Sequence, residues 1–272
     1  MSRKYVTQIF PWLLPIRRKQ RKMFFYLKMK LDANRYSGKQ INMELPYLVF
    51  ETSCPMYNKK TGFDMTYQDN KVFNLKLAAK VLTNLVIQPH ETFSFWKLVR
   101  KADKNVPFKD GLAVVDGKLS TSPGGGLCQI SNLLFWMFLH TPLTVVERHG
   151  HAKKDFPEPP SDALLGVDAT VSEGWLDLKV RNDTEYTFQI VITFDEENIK
   201  GRILADHDMK QEVIVTNKDL SYYKKDNEIF EEVDVVKSVV LLPERECISS
   251  EVLYRNCCKI GYPLPDNVEV IR

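Results

Sequence analysis

Apolar residues recur at spacings of three and four along two stretches of the chain, which is the spacing of one face of an α-helix. The first stretch runs from Asn74 to Val86, and Asn74 is of the type that caps a helix. The second begins at Cys128 and is predicted to continue to about Leu139. A third helix is predicted from about Met23 to Tyr36, because this segment contains neither Gly nor Pro.

Elsewhere, runs in which apolar and polar residues alternate, or in which β-branched and aromatic residues are frequent, predict strands. Asp116-Gly117 lies between two short runs and predicts a hairpin, and Thr92–Trp96 is expected to form a strand or a partly buried loop. The alternation from Thr144 to His151 places Val145, Glu147, His149 and His151 on one face of a strand. Further strands are predicted at Leu176–Val180, Phe188–Phe194, Val213–Thr216 and Val233–Leu242.

This order of elements predicts an α+β protein. Its N-terminal half is expected to be helical, a central helix after a glycine loop carries Cys128, and the C-terminal half is rich in antiparallel strands. A chain of 272 residues can form one large domain or two small ones. We predict a basic helical segment over residues 1–40, an α+β domain over 41–205, and a β-rich extension over 206–272 that packs on the same domain.

Charge is concentrated at the N-terminus. The net charge is only +3, which gives no reason to expect a nucleic-acid partner, but residues 1–35 hold ten basic residues against one acid, Asp32. Aromatic and aliphatic residues are interleaved with them. Two interpretations stay open: the segment lies on an anionic membrane surface, or it docks on an acidic patch of its own domain.

The sequence contains no run of about 18 apolar residues, which a membrane-spanning helix would need. The apolar piece Ile9–Ile16 is short and broken by two prolines, so no signal peptide is predicted. Five cysteines at irregular spacing, without a CxxC pair, argue against a disulfide framework or a zinc ribbon. We therefore expect a cytoplasmic protein, membrane-associated if residues 1–35 bind lipid, with neither a metal nor a cofactor.

Three consecutive glycines, Gly124, Gly125 and Gly126, precede the predicted helix that carries Cys128. Glycines fit where the backbone turns sharply or exposes its N–H groups. The first turn of a helix has unpaired N–H groups and the positive end of the helix dipole, and both favour a thiolate. The pattern indicates a nucleophilic cysteine beside N–H groups able to stabilise an oxyanion.

Two histidines and a carboxylate follow Cys128 along the chain. Cys128 with His149 or His151 and with Asp168 gives a nucleophile, a base and a group that orients the base. We favour His151 as the base and expect His149 to be held behind it by Glu147 or by the backbone. The alternative is a buried structural cysteine whose neighbouring histidines bond the backbone. Substrate binding is assigned to Gly124, Gly125, Gly126, Gln129, Ser131, Glu147 and Arg148.

Two other kinds of site are less well supported. Glu147, His149 and His151 would share a strand face and could hold a metal with Cys128, but the spacing matches no common zinc module, and a solvated strand face ranks higher. The glycine loop lacks both the GxxxxGK[ST] and the GxGxxG pattern, so a nucleotide site is not predicted.

The same residues resemble the VanW family. The motifs are Gly124-Gly-Gly-Leu-Cys-Gln-Ile-Ser131, Glu147-Arg-His-Gly-His151 and Asp168-Ala-Thr-Val171, with entry segments at Asn74–Ala79 and Pro89–Ser94. The resemblance extends from about Asn74 to about Phe194. Two residues depart from it: His90 stands where glycine is usual, and Ala152 where serine is common.

The resemblance implies association with glycopeptide-resistance clusters of the vancomycin B type, and it specifies no reaction. It leads to two hypotheses. In the first, an accessory resistance protein acts on cell-wall peptide or its precursor by acyl transfer or amide hydrolysis, through a thioester on Cys128 with His151 or His149 as base and Asp168 as orienter. In the second, a non-enzymatic module uses the glycine loop and the histidine face to bind a peptide or carboxylate.

Overall fold

The computed structural model describes residues 10–115 and 118–271. Arg3 and Lys4 of the basic segment, and the Asp116-Gly117 turn predicted from the sequence, lie outside the described residues. Helices and strands alternate up to Glu147, and strands are the regular elements after it, which makes the protein α+β.

The helices of the described residues, after a 3₁₀ turn at Pro11–Leu13, are α1 (Leu14–Leu31), α2 (Thr66–Leu82), α3 (Phe95–Val99) and α4 (Cys128–Leu139). The strands of the first half are β1 (Arg35–Tyr36), β2 (Tyr47–Pro55), β3 (Leu85–Ile87), β4 (Glu91–Ser94), β5 (Asp110–Val115), β6 (Lys118–Pro123) and β7 (Thr144–Glu147). The later strands are β8 (Lys153–Lys154), β9 (Lys179–Arg181), β10 (Phe188–Phe194), β11 (Asn198–Ala205), β12 (Gln211–Lys225), β13 (Glu228–Leu241), β14 (Glu246–Ile260) and β15 (Val270–Ile271).

These strands form four sheets. One has the order β2-β11-β10-β3 and is antiparallel throughout; a second has the order β1-β4-β9-β7. The third is a long antiparallel meander of β12, β13 and β14, edged by the short parallel strands β15 and β8. The fourth is the β5-β6 hairpin, whose register matches the hairpin predicted from the sequence.

Helix α4 lies in the core and packs against β2 and β11. All of its residues from Ile130 to Leu139 except Asn132 are buried, as expected for a helix that is apolar on every side. Gly201 on β11 lets the helix approach closely, because a Cβ there would lie 2.3 Å from the Sδ of Met137. The buried body of α4 thus fixes its N-terminus, where Cys128 lies.

The predicted cap at Asn74 is wrong. Helix α2 begins eight residues earlier, at Thr66, and Asn74 is fully buried in its middle. Its side-chain amide donates to the carbonyls of Lys109 and Gly125 and accepts from the N–H of Lys109. A residue type that often caps helices is used here to bind the glycine loop.

Three other predicted elements differ from the structure. The Thr92–Trp96 strand ends at Ser94, whose hydroxyl accepts a hydrogen bond from the N–H of Lys97 and caps α3. The predicted N-terminal helix begins earlier and ends sooner, as α1. The described part of the N-terminal half contains six strands besides its helices, so it is less helical than the sequence pattern predicts.

No helix in residues 10–115 and 118–271 is long and apolar enough to cross a membrane. All five cysteines are free thiols.

Candidate active site

The glycine loop is a tight backbone turn against the β5-β6 hairpin. Gly124 and Gly126 have φ of 78° and 87°, a conformation that favours glycine. A Cβ on Gly125 would lie 2.0 Å from the carbonyl oxygen of Gly111, so these two backbones touch directly. The loop requires all three glycines, two for their φ and one for space.

Cys128 is the first residue of α4, as predicted, and its side chain is half-buried. The sulfur lies 3.4 Å from Oγ1 of Thr170 and donates a long hydrogen bond of 3.8 Å to the carbonyl of Val171. Within the described ranges, the N–H groups of Gly126 and Cys128 have no hydrogen-bond acceptor. The thiol therefore has polar neighbours and free N–H donors beside it.

His151 is held by Asp168. Its backbone N–H donates to Oδ2 of Asp168 at 2.5 Å, and Nδ1 lies 2.7 and 2.9 Å from the two carboxylate oxygens. Asp168 is buried, so this contact is shielded from water. Because Nδ1 faces the carboxylate, Nε2 is the nitrogen that remains for the thiol.

Cys128 and His151 each shift the pKa of the other towards the charged form. Burial raises the pKa of the Cys128 thiol, but the hydrogen bond and charge of His151, together with Thr170, outweigh it and bring that pKa below its ordinary value. Burial lowers the pKa of His151, yet Asp168 and Cys128 raise it well above the ordinary value. The three side chains favour a thiolate–imidazolium pair backed by a carboxylate.

The second turn of α4 fixes the loop that carries Asp168. Ser131 donates to the carbonyl of Ala169 at 2.5 Å and to that of Cys128 at 3.0 Å, while the side chain of Asn132 accepts from the N–H of Ala169 at 2.7 Å. Ser131 is fully buried, so it holds the loop from inside. Asp168 itself lies on this extended loop and not on a strand.

Arg148 braces the same loop from the other side. Nε donates to the carbonyl of Asp168 at 2.5 Å, and a terminal nitrogen donates to Gly166 and to Asn256. The guanidinium also lies 4.2 Å from the ring centroid of Tyr254. These contacts engage the same guanidinium that the sequence pattern assigns to substrate binding.

The two histidines do not share a strand face. Strand β7 ends at Glu147, so the alternation predicted to run to His151 stops there, and the two rings have different partners. Nε2 of His149 lies 3.2 Å from Glu147, which also accepts from Lys179 at 2.8 Å. His149 is thus held by Glu147 in a second cluster, apart from the His151–Asp168 pair.

That separation also bears on the metal alternative. Glu147 is engaged by Lys179 and His149, whereas His151 is engaged by Asp168, so the three do not converge. In the part of the chain that the structure describes, no group of three or more His, Cys, Asp or Glu side chains is placed to hold a metal ion.

Sequence reasoning missed Lys71, which lies beside the glycine loop. A Cβ on Gly126 would be 2.2 Å from the Cγ of Lys71, so the lysine stem covers that glycine. Burial lowers the pKa of its ammonium to about 8, and Lys71 forms no ion pair with any residue described. Nearby, Gln129 donates to the carbonyl of Pro55 at 2.6 Å while its Oε1 is buried without a partner. No spacing in the sequence pointed to Lys71.

Known proteins are similar in sequence to this chain over the residues of the site. The sequence model of the family described as "VanW like protein" matches residues 70–204. The chain is 55% identical over 270 residues to the vancomycin B-type resistance protein VanW of Enterococcus faecalis, a match that covers 99% of this chain and 98% of that protein. It is 38% identical over 119 residues to the uncharacterized protein YoaR of Bacillus subtilis, covering 44% of this chain and 37% of YoaR. No solved structure matches the chain.

Proposed function

The chain belongs to the VanW family, and on that premise we propose that it is an accessory protein of glycopeptide resistance that acts on cell-wall peptide or its precursor. The named relative supplies the resistance context. The observation that carries the chemistry is the bond between Nδ1 of His151 and the buried carboxylate of Asp168, which leaves Nε2 for the thiol, while the imidazole lowers the pKa of Cys128.

The proposed reaction begins with the Cys128 thiolate and the His151 imidazolium. The sulfur attacks an amide carbonyl of the peptide and forms a C–S bond, and the negative charge moves to the carbonyl oxygen. The free N–H groups of Gly126 and Cys128 are the donors available to that oxygen. The C–N bond then breaks, and the leaving amine takes the proton of His151.

A thioester remains on Cys128, and His151 is neutral. An incoming amine or a water molecule then gives a proton to His151 while it attacks the thioester carbon, and the thiolate leaves. An amine yields acyl transfer and water yields hydrolysis, so the same three residues serve both outcomes. Asp168 stays ionised and holds the imidazole in one orientation.

Lys71 supports the second candidate, a module that binds a peptide or carboxylate without chemistry. A half-buried ammonium beside the glycine loop, without a carboxylate partner among the described residues, offers a charged donor to the carboxylate of a ligand. In this case Cys128 would line the site and form no covalent bond.

Intact-protein mass spectrometry with synthetic cell-wall stem peptides separates the two candidates. The parent is expected to gain the mass of an acyl group, Cys128→Ala to gain none, and Cys247→Ala to behave like the parent. Cys247 is the control because it is an exposed free thiol on β14 whose sulfur bonds the carbonyl of Ser249 on the same strand. If no adduct and no product form while the parent and Cys128→Ala bind the peptide equally, the protein is a binding module.

A further inference from the structure

Helix α1 has two apolar sides, and only one of them packs against the protein. On the packed side, Met29 is buried, the hydroxyl of Tyr26 donates to Glu173 at 2.8 Å, and Lys22 forms an ion pair with the same carboxylate. This side holds the helix on the loop that follows the active-site residues Thr170 and Val171.

The opposite side of α1 is exposed and also apolar. Residues four or seven apart project from one side of a helix, and Ile16, Met23, Leu27 and Leu31 follow that spacing. Trp12, in the 3₁₀ turn, lies four residues before Ile16 and extends the stripe, and Phe24 widens it. The exposed fractions are Trp12 69%, Ile16 60%, Met23 58%, Phe24 53%, Leu27 43% and Leu31 77%.

Basic residues flank this stripe. Helix α1 contains seven basic residues and no acidic one: Arg17, Arg18, Lys19, Arg21, Lys22, Lys28 and Lys30. Apart from Lys22, none of them lies within 4.0 Å of a carboxylate in residues 10–115 and 118–271. Docking on an acidic patch of the same chain therefore accounts for one of the seven charges and leaves the others unneutralised.

We propose that the exposed side of α1 binds the surface of an anionic lipid bilayer. An apolar stripe between two rows of Lys and Arg fits such a surface, since the apolar side chains enter the acyl boundary and the cations stay with the headgroups. Trp12 extends the stripe, and the exposed ring of Trp175 lies 5.5 Å from the guanidinium carbon of Arg21. The helix lies on the membrane and does not cross it. This inference is independent of the chemistry proposed for Cys128.

Co-sedimentation of the full chain with vesicles tests the proposal. Binding is expected to vesicles of mixed phosphatidylglycerol and phosphatidylcholine, to weaken with added salt, and to be at least about tenfold weaker with phosphatidylcholine alone. The double variant Ile16→Glu and Leu27→Glu is expected to lose binding by at least about tenfold, because two charges replace two membrane-facing apolar groups.

The matched control is Met43→Glu with Leu220→Glu, which adds the same charge at exposed apolar positions outside α1. It should bind like the parent, and unchanged thermal unfolding of both variants should show that they fold. Equal loss in the two double variants, or no binding of the parent to either vesicle, overturns the proposal. Sedimentation velocity without lipid tests whether a second copy of the chain covers the stripe instead. An oligomer in the parent that becomes a monomer only in the α1 variant would assign the stripe to that second copy and overturn the membrane role.

Discussion

The carboxylate of Asp168 accepts two hydrogen bonds from His151, one from its backbone N–H at 2.5 Å and one from Nδ1 at 2.7 Å. The first bond fixes the backbone of His151 and the second sets the direction of its ring. A single buried carboxylate therefore holds His151 at two points and leaves Nε2 as the free ring nitrogen.

We predict that His151→Ala slows alkylation of Cys128 below pH 7 and that His149→Ala does not. Loss of the imidazolium raises the pKa of the thiol, so the thiolate fraction falls at a given pH. Initial rates with iodoacetamide between pH 5 and 9, read at Cys128 by peptide mapping, provide the measurement. A change confined to His149→Ala would reverse the assignment of the two histidines.

Asp168→Asn is expected to move the pKa of His151 down towards its ordinary value. The carboxylate is the main group that raises this pKa, and an amide supplies no charge. Near pH 8 the imidazole of the variant should be largely neutral whereas that of the parent is charged, so the pKa of the Cys128 thiol should rise and its alkylation should slow, by about tenfold for each unit of that rise. Titration of the His151 ring by NMR gives the pKa directly. Asp183→Asn, at an exposed ion pair with Arg181, is the control and should leave both quantities unchanged.

Gly125→Ala should be strongly destabilising, by more than about 3 kcal/mol in the free energy of unfolding, because its Cβ would overlap the carbonyl of Gly111. Gly38→Ala is the matched control, since nothing lies within 4 Å of a Cβ there. Urea unfolding of the three proteins measures the difference. Equal stability of the two variants would contradict the close approach of the backbones.

Ser131→Ala is predicted to cost about 1–3 kcal/mol in the free energy of unfolding, because it leaves the buried carbonyl of Ala169 without its donor. The loss should also disturb Thr170 beside the sulfur and alter the alkylation rate of Cys128. Ser120→Ala, at an exposed position, serves as the control for urea unfolding and for labelling. A variant that is destabilised but labels like the parent would show that this hydrogen bond does not position the thiol.

Asp177→Asn should flatten the pH dependence of stability between about pH 4 and pH 6. Burial raises the folded pKa of Asp177 to about 6, although Ser94 and Trp96 donate to its carboxylate. The unfolded chain, with a pKa near 3.9, releases the proton first, so this group lowers stability as pH rises through the window, by at most about 3 kcal/mol. Urea unfolding at pH 4.5 and pH 7 checks the sign. An identical pH slope in the variant would contradict it.

Local signals predicted α4 correctly from Cys128 to Leu139, because a glycine turn precedes it and apolar periodicity continues to its end. They failed at Asn74, where a residue preferred at helix ends is used to bind the backbone of the glycine loop. They also failed beyond Glu147, where alternation persists in the sequence but a carboxylate distant in the chain takes the N–H that a strand would use.

The Cys128, His151 and Asp168 positions were predicted together because each lies in a distinctive motif. Lys71 and Asn256 were not, because their relation to the site depends on tertiary contacts: the stem of Lys71 lies against Gly126, and Asn256 bonds Arg148 across 108 residues. No local pattern encodes either contact. The catalytic roles of the predicted residues stay predictions until the labelling experiments are done.

The bond between Arg148 and Asn256 can form only after Asn256 has been synthesised. A chain is made from its N-terminus, so α4 and the glycine loop leave the ribosome well before β14, which supplies Asn256 and pairs with β8 beside His151. Until β14 arrives, Arg148 lacks part of what fixes it against the Asp168 loop. Arg148 is thus fully braced against the Asp168 loop only after a segment 108 residues further along the chain has been made.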